Sequence, residues 1–331
     1  MAEPAVDYVD IFAANYSVTG IRRDGGEGLP VVITGSYEED GSRAPQPLLY
    51  RGPLTPTDAG GYVFLVPNFP GQTVTSGVFY GPNTALFDPL LGAGNIRAVG
   101  SYKYSDGGAY DHGMIYQGGL DGAGTWTPIT VPDDVAGGTV ANTIAHSTMG
   151  DLVVGNYDLV GQPGSGNGFI FNLRTGHCAV LDIGPLATLY GVWQNGDGAS
   201  YTLAGGYRAG HSVNQGFLAD YEGAGTVHRL TAYSGFNIPG VFTHFEGITG
   251  IANGYMLAAT TDHGAAFARV DRHTDGSFGP ARWLAVRNPE TAGISTGNSI
   301  LDNHLIGIYQ PTGGGIQSYV ATITGEWVEG A

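Results

Sequence analysis

An apolar or β-branched run ending in Gly-x-Tyr recurs along the whole chain, and such a repeat restricts the fold more tightly than composition does. It stands at Val31 to Tyr37, Ala98 to Tyr102, Val153 to Tyr157, Leu203 to Tyr207 and Leu305 to Tyr309, with a weakened copy at Leu257 to Thr261. After each copy come a polar or Gly-rich turn and a second apolar run: Leu48-Leu49-Tyr50, Met114-Ile115-Tyr116, Phe169-Ile170-Phe171, Phe217-Leu218-Ala219, Ala266-Phe267-Ala268 and Tyr319-Val320-Ala321. A third run follows in most units, as in Tyr62 to Val66, Trp126 to Val131, Cys178 to Ile183, Val227 to Thr231 and Arg282 to Val286. Short runs of this kind between turn residues read as strands. A spacing of roughly 50 to 65 residues belongs to propeller blades, since solenoid repeats are usually shorter. The last unit lacks its third run, whereas Ala5 to Ile11 carries the same alternation ahead of the first unit. Pairing that segment into the last unit closes the ring and protects its edges. The chain is therefore predicted to be an all-β, six-bladed β-propeller, a single domain over residues 1–331. Ala5 to Ile11 is its outermost strand in the blade of His304 to Tyr309 and Gln317 to Thr322.

Composition narrows the partners. The 57 Gly and 18 Pro suit short strands and tight turns. A net charge of −16, from 29 acidic and 13 basic residues with Lys103 the sole lysine, repels phosphate backbones, so no nucleic-acid partner is expected. No apolar run reaches the length of a bilayer-spanning helix, so membrane insertion is not expected either. The single cysteine, Cys178, lies in an alternating strand where a small buried apolar residue belongs. Met1-Ala2-Glu3-Pro4 precedes the closing strand almost directly. That reads as a cytoplasmic protein, or as an exported one whose leader has been removed. Oligomeric state is open.

The repeat resembles the extracellular HAF repeat, which pairs a Val-Val-Gly-x-Tyr-like strand with a following His-x-Phe or Gly-Phe strand. The matching pieces are Asp151 to Tyr157 with Gly168-Phe169, Tyr201 to Tyr207 with Gly216-Phe217, and Ile96 to Tyr102 with His112-Gly113-Met114. His263-Gly264-Ala265-Ala266-Phe267 departs from the pattern by one inserted residue. The resemblance implies the propeller architecture and an exported protein, and no particular reaction.

In a propeller the first strand of each blade lines the central channel. Counting back from the Gly-x-Tyr steps places these strands near Ala14 to Val18, Ser76 to Tyr80, Ala141 to His146, Tyr190 to Gln194, His244 to Thr249 and Thr296 to Ile300. A small or turn-forming residue recurs near their starts: Asn15, Gly77, Asn142, Gly191, Gly247 and Gly297. Small residues are what converging strands require. Larger polar residues there have no steric use and become candidates for chemistry. His244 and Glu246 are two apart, so on a strand both project from one face. A carboxylate beside imidazole holds it in one tautomer for general-base work. His146 and Tyr80 join them as catalytic candidates, with Tyr as proton donor; Trp193, Gln194, Asn298 and Tyr190 are candidate substrate contacts. The alternative is that His244 and Glu246 only hydrogen-bond neighbouring strands.

No cofactor is expected, with calcium as the alternative. Glu246, Asn15, Asn142 and Asn298 together offer a carboxylate and amide oxygens, a hard-cation set. Six-bladed lactonases, which the chain resembles only in architecture, hold calcium with a similar mix. Asp111-His112-Gly113 and Asp262-His263-Gly264 read as turns between second and third strands. Asp121 to Trp126 and Asp275 to Gly279 are similar to the Asp boxes of sialidases, but their spacing fails and no arginine triad accompanies them. No phosphate-binding loop and no Gly-x-Ser-x-Gly elbow is present.

Three functions follow. The first is an enzyme with one asymmetric site at the channel mouth, running cofactor-independent acid/base chemistry of lyase, isomerase or cyclase type on a small organic molecule or sugar. The second is a calcium-dependent lactonase-like hydrolase. The third is a lectin-like glycan-binding module. A lectin of this shape repeats its binding residues in every blade, and these residues differ from blade to blade, which favours the enzyme.

Overall fold

The computed structural model describes residues 4–25, 30–39, 44–55, 61–184, 186–196, 198–208, 210, 212–223, 226–325 and 327. The opening Met1-Ala2-Glu3, on which the question of a leader turned, lies outside them. Six four-stranded antiparallel sheets make the protein a six-bladed β-propeller. The first blade holds β2 (Tyr16–Arg23), β3 (Val31–Tyr37), β4 (Gln46–Gly52) and β5 (Tyr62–Phe64). The second holds β6 (Val74–Thr84), β7 (Ile96–Tyr104), β8 (His112–Gly118) and β9 (Thr125–Ile129). The third holds β10 (Val140–Met149), β11 (Leu152–Leu159), β12 (Gln162–Asn172) and β13 (Cys178–Val180). The fourth comprises β14 (Thr188–Gln194), β15 (Tyr201–Tyr207), β16 (Gln215–Tyr221) and β17 (Val227–Tyr233). The fifth comprises β18 (Thr243–Ile251), β19 (Gly254–Thr261), β20 (Gly264–Arg272) and β21 (Phe278–Ala285). The sixth joins β22 (Thr291–Leu301), β23 (His304–Pro311) and β24 (Gln317–Thr324) to β1 (Ala5–Ile11).

By compactness the blades fall into two units, Thr19–Tyr190 and Met1–Val18 with Gly191–Ala331, divided within β2 and β14. In the first unit Val32, Leu49, Phe79, Tyr102 and Met114 fill the space between the first two blades. Val99, Ala145, Val153 and Phe169 do the same between the second and third. In the other unit Leu218, Phe245, Ile248 and Leu257 join the fourth and fifth blades, and Met256, Phe267, Ile300 and Leu305 the fifth and sixth. Second strands are covered on both faces, which is why β19 is buried over most of its length and reads as a nearly continuous apolar run. Cys178 is buried, and burial pushes its thiol up to about 11, so it sits as an unreactive thiol.

The predicted closing strand is present. β1 runs antiparallel to β24 in unbroken register from Ala5 opposite Thr324 to Ile11 opposite Ser318. Its outer residues make a side-chain clasp: the Tyr309 hydroxyl donates to Asp10 Oδ2 at 3.0 Å and to Glu290 Oε2 at 3.3 Å. The Arg287 N–H donates to the Tyr8 hydroxyl at 2.7 Å. Burial, and then the two carboxylates, hold the Tyr309 phenol above its ordinary range, so it remains the donor. Tyr309→Phe leaves the two carboxylates sharing no proton and is expected to cost about 1.5 kcal/mol. Urea unfolding checks this as a lowered midpoint at constant slope; an unchanged midpoint would show that the clasp contributes nothing to closure.

Candidate functional site

Four of the six first strands, β6, β10, β18 and β22, carry the same local irregularity. The ladder between first and second strands skips a residue at Tyr80, His146, Glu246 and Asn298, between the pairs Phe79/Gly81, Ala145/Ser147, Phe245/Gly247 and Gly297/Ser299. These are β-bulges, in which two residues of one strand face a single residue of the other. Thr19 and Tyr190 hold the same place in β2 and β14, each followed by a glycine as Tyr80 and Glu246 are. The bulge accounts for the Gly-x-Tyr repeat. A Cβ at Gly100, Gly155 or Gly307 would strike the carbonyl oxygen of Val78, Ile144 or Thr296, the residue two before each bulge. It also accounts for the small residue that follows. A Cβ at Gly247 would come within 2.7 Å of Ser299 Cα on the next blade's first strand.

The sequence reading of the small-residue row is corrected by this. Gly191 and Gly247 belong to the row, but its other members are Gly20, Gly81, Ser147 and Ser299, while Asn15, Gly77, Asn142 and Gly297 lie before the bulge. Asn15 is not in a strand at all. β2 starts at Tyr16, and Asn15 turns the chain into it with φ 71°, a conformation asparagine tolerates.

In the unit containing residues 191–331, β18 presents His244 and Glu246. Phe245 between them is fully buried in the core, so its neighbours project the other way, and the bulge leaves Glu246 outside the ladder. Glu246 Oε1 lies 3.3 Å from His244 Nδ1, with the side chains 18% and 11% exposed. The imidazole rests against Gly206 of β15, where a side chain would collide with its Cδ2 edge. Asn298 Nδ2 donates to the Val18 carbonyl at 2.6 Å.

In the unit Thr19–Tyr190, the bulge residues Tyr80 and His146 form a stack with Tyr190. The His146 ring lies 3.7 Å from that of Tyr190 at an interplanar angle of 24°, and 4.7 Å from that of Tyr80. His146 is 7% exposed. Burial, with the Asp111 carboxylate adding to it, raises the Tyr80 phenol, while a hydrogen bond with Ser101 opposes the shift. Ser101 Oγ donates to Asp111 Oδ1 at 3.2 Å, and Lys103 Nζ is 3.5 Å from Asp111 Oδ2. Sequence reasoning placed Asp111 in a turn and assigned it nothing more. The signal that it does more was the sole lysine, which lies one residue beyond Tyr102.

Two proposed contacts lie elsewhere. Trp193 packs against Gly250, four residues beyond Glu246 along β18 and so roughly 13 Å away from it. Gln194 Nε2 donates to the Gly198 carbonyl within its own hairpin at 2.8 Å. Residues of the calcium alternative are engaged individually. Asn142 Oδ1 accepts from the Asp111 N–H at 2.8 Å and its Nδ2 donates to Asp158 Oδ2 at 3.2 Å. With Asn15 in a turn, Glu246 is the only carboxylate of the set, and it faces His244. Among the described residues no three His, Cys, Asp or Glu side chains gather as metal ligands.

No protein-family model matches the chain, and no curated protein matches it in sequence. Solved structures do. A sialidase from Trypanosoma rangeli, in complex with the inhibitor DANA, is similar with a TM-score of 0.54 at 8% identity, over 94% of this chain and 55% of that one. A periplasmic gluconolactonase from Pseudomonas aeruginosa is similar with a TM-score of 0.49 at 10% identity, over 90% of this chain and 83% of that one. At 8% identity the likeness to the sialidase bears on the fold alone, in agreement with the six four-stranded sheets.

The raised phenol of Tyr80 has a measurable consequence. A folded-state value above the unfolded one contributes stability that is intact below pH 10 and is lost as pH rises beyond it. Tyr233 and Tyr319 are raised chiefly by burial in the same sense. Absorbance titration at the phenolate band is expected to show a class of the 19 tyrosines ionising late and together with unfolding. Tyr80→Phe is expected to reduce that class; ionisation of all tyrosines near pH 10 in the folded protein would contradict the burial argument.

Proposed function

We propose that this propeller is an enzyme acting on a small organic molecule or sugar by cofactor-independent proton transfer, with His244 and Glu246 as the working pair. The observation that carries this reading is their contact at a bulge, a position that three other first strands also present and that none of them fills in the same way. Glu246 lies at ion-pair distance from Nδ1 without hydrogen-bond geometry; closing that contact would favour the tautomer with the proton there and leave Nε2 as the acceptor. When Nε2 takes a proton from substrate, Glu246 stabilises the resulting imidazolium; return of that proton to a different substrate atom gives an isomerase, lyase or cyclase outcome. Both groups are largely shielded from water, which strengthens that stabilisation.

The variety at the bulge also speaks against a lectin with equivalent sites. Thr19, Tyr80, His146, Tyr190, Glu246 and Asn298 share no side-chain chemistry that one repeated ligand would select. The similar propellers include a sialidase crystallised with an inhibitor, which accords with a sugar-sized substrate and says nothing of the reaction. The HAF-like repeat supports, in the same limited way, an exported protein.

Hydrogen–deuterium exchange into a panel of small ketones, lactones and reducing sugars in D2O tests the proposal while the product is still unidentified. One substrate is expected to acquire deuterium at a single carbon. His244→Ala and Glu246→Gln are expected to slow that exchange by about 100-fold or more, with melting temperature preserved for Glu246→Gln. Full exchange in both variants would sink the assignment, and so would a Glu246→Gln protein whose only defect is stability.

A further inference from the structure

At the far end of β18 from Glu246, the same unit contains a recess of about 490 Å³ that the proposed proton transfer does not use. Its wall includes Trp193, Asn195, Tyr255 and Arg272, with backbone of the β18–β19 turn. The polar members are held in place before any ligand arrives. The Tyr255 hydroxyl donates to Asn195 Oδ1 at 2.9 Å and shares a 2.8 Å hydrogen bond with Thr202 Oγ1. Asn195 Nδ2 donates to Thr202 Oγ1 at 3.0 Å. Arg272 is fixed by two parallel bonds to Asp220, 2.8 Å from Nη1 and 2.5 Å from Nη2, and its guanidinium lies 4.3 Å over the Phe278 ring.

The charge is as specific as the shape. Asp220 also accepts from Arg229 at 3.2 Å, so two guanidinium groups meet one carboxylate. Among the described residues no carboxylate lines the recess, in a chain whose net charge is −16. A guanidinium has five N–H donors, so the two bonds to Asp220 leave others on Arg272 for a ligand. A half-buried indole, an amide, a phenol and a positioned guanidinium in a cavity of this volume suit one compact polyhydroxylated ring bearing an acid group.

We infer that this recess binds a carboxylated monosaccharide. The ring lies on the Trp193 indole, its hydroxyls meet Asn195 and Tyr255, and its carboxylate meets Arg272. The site stands on its own geometry and does not depend on the His244–Glu246 reading.

Ligand-observed NMR and calorimetric titration of the full chain with glucuronate, and with glucose as the uncharged counterpart, test it. Saturation transfer to glucuronate is expected, with glucose binding several-fold more weakly. Loss of the ring platform in Trp193→Ala is expected to weaken glucuronate about tenfold. Trp193→Phe, which keeps a ring where the indole packs on the core, should fall between and carries the test should the alanine variant misfold. Glu246→Gln is expected to bind glucuronate as wild type does, which separates this site from the proton-transfer pair. No transfer to either sugar, or unchanged affinity in the Trp193 variants, overturns the inference; glucose binding as tightly as glucuronate overturns the assignment of Arg272 to a carboxylate.

Discussion

The bulge in the first strands β6, β10, β18 and β22 is the constraint on which the rest of the structure depends. In β6, β10 and β22 a first-strand carbonyl takes the space a Cβ would need on the second strand, so Gly100, Gly155 and Gly307 are steric requirements. Immediately after it, the strand runs so close to its neighbour that Gly81 faces the His146 carbonyl at 2.5 Å from a would-be Cβ. The repeat in the sequence and the small residues of the first strands are thus two consequences of one backbone feature. The weakened copy at Leu257 to Thr261 is the exception: Ala259 stands opposite Phe245, where Gly100 stands opposite Phe79, so the fifth blade accommodates a methyl group where the second has glycine.

Much of the fold was legible because it is periodic. Alternation marked the strands, and the missing outer strand of the last blade had a single replacement in Ala5 to Ile11, which pairs with β24 over its whole length. The phase of the first strands was less legible, because a bulge inserts a residue that a period of two cannot anticipate. Counting back from Gly-x-Tyr therefore found Gly191 and Gly247 but missed Gly20, Gly81, Ser147 and Ser299. The His244–Glu246 contact was readable since two-residue spacing survives a bulge at Glu246. Contacts between strands distant in sequence were not readable: the stack of Tyr80, His146 and Tyr190 and the link from Ser101 to Asp111 depend on which blades adjoin and at what height. Trp193 was placed beside the wrong partner for the same reason.

The bulge also explains where chemical variety is tolerated. A bulged residue makes no ladder pair, so its side chain is not constrained by the sheet register. Replacing it changes what the strand presents without breaking a ladder pair. Threonine, tyrosine, histidine, glutamate and asparagine all occur there, whereas the glycine opposite and the aromatic core positions beside it allow little change. Stability and chemistry are therefore carried by adjacent residues of one strand with little conflict between them.

The network at the other end of β18 is a different case, because it does involve the interior. Asp220 is 3% exposed, and removing a carboxylate from water costs more than an ion pair alone commonly returns. Well-packed apolar side chains would hold β16 and β20 together at least as well. What they would not do is present a guanidinium at a set angle to open space. Asp220 grips Arg272 by both terminal nitrogens, and the Phe278 ring lies under the same group, so the arginine reaches the recess with little conformational freedom left to lose. A cation held this firmly, beside an amide and a phenol that are themselves hydrogen-bonded into place, is organised for a ligand before the ligand arrives.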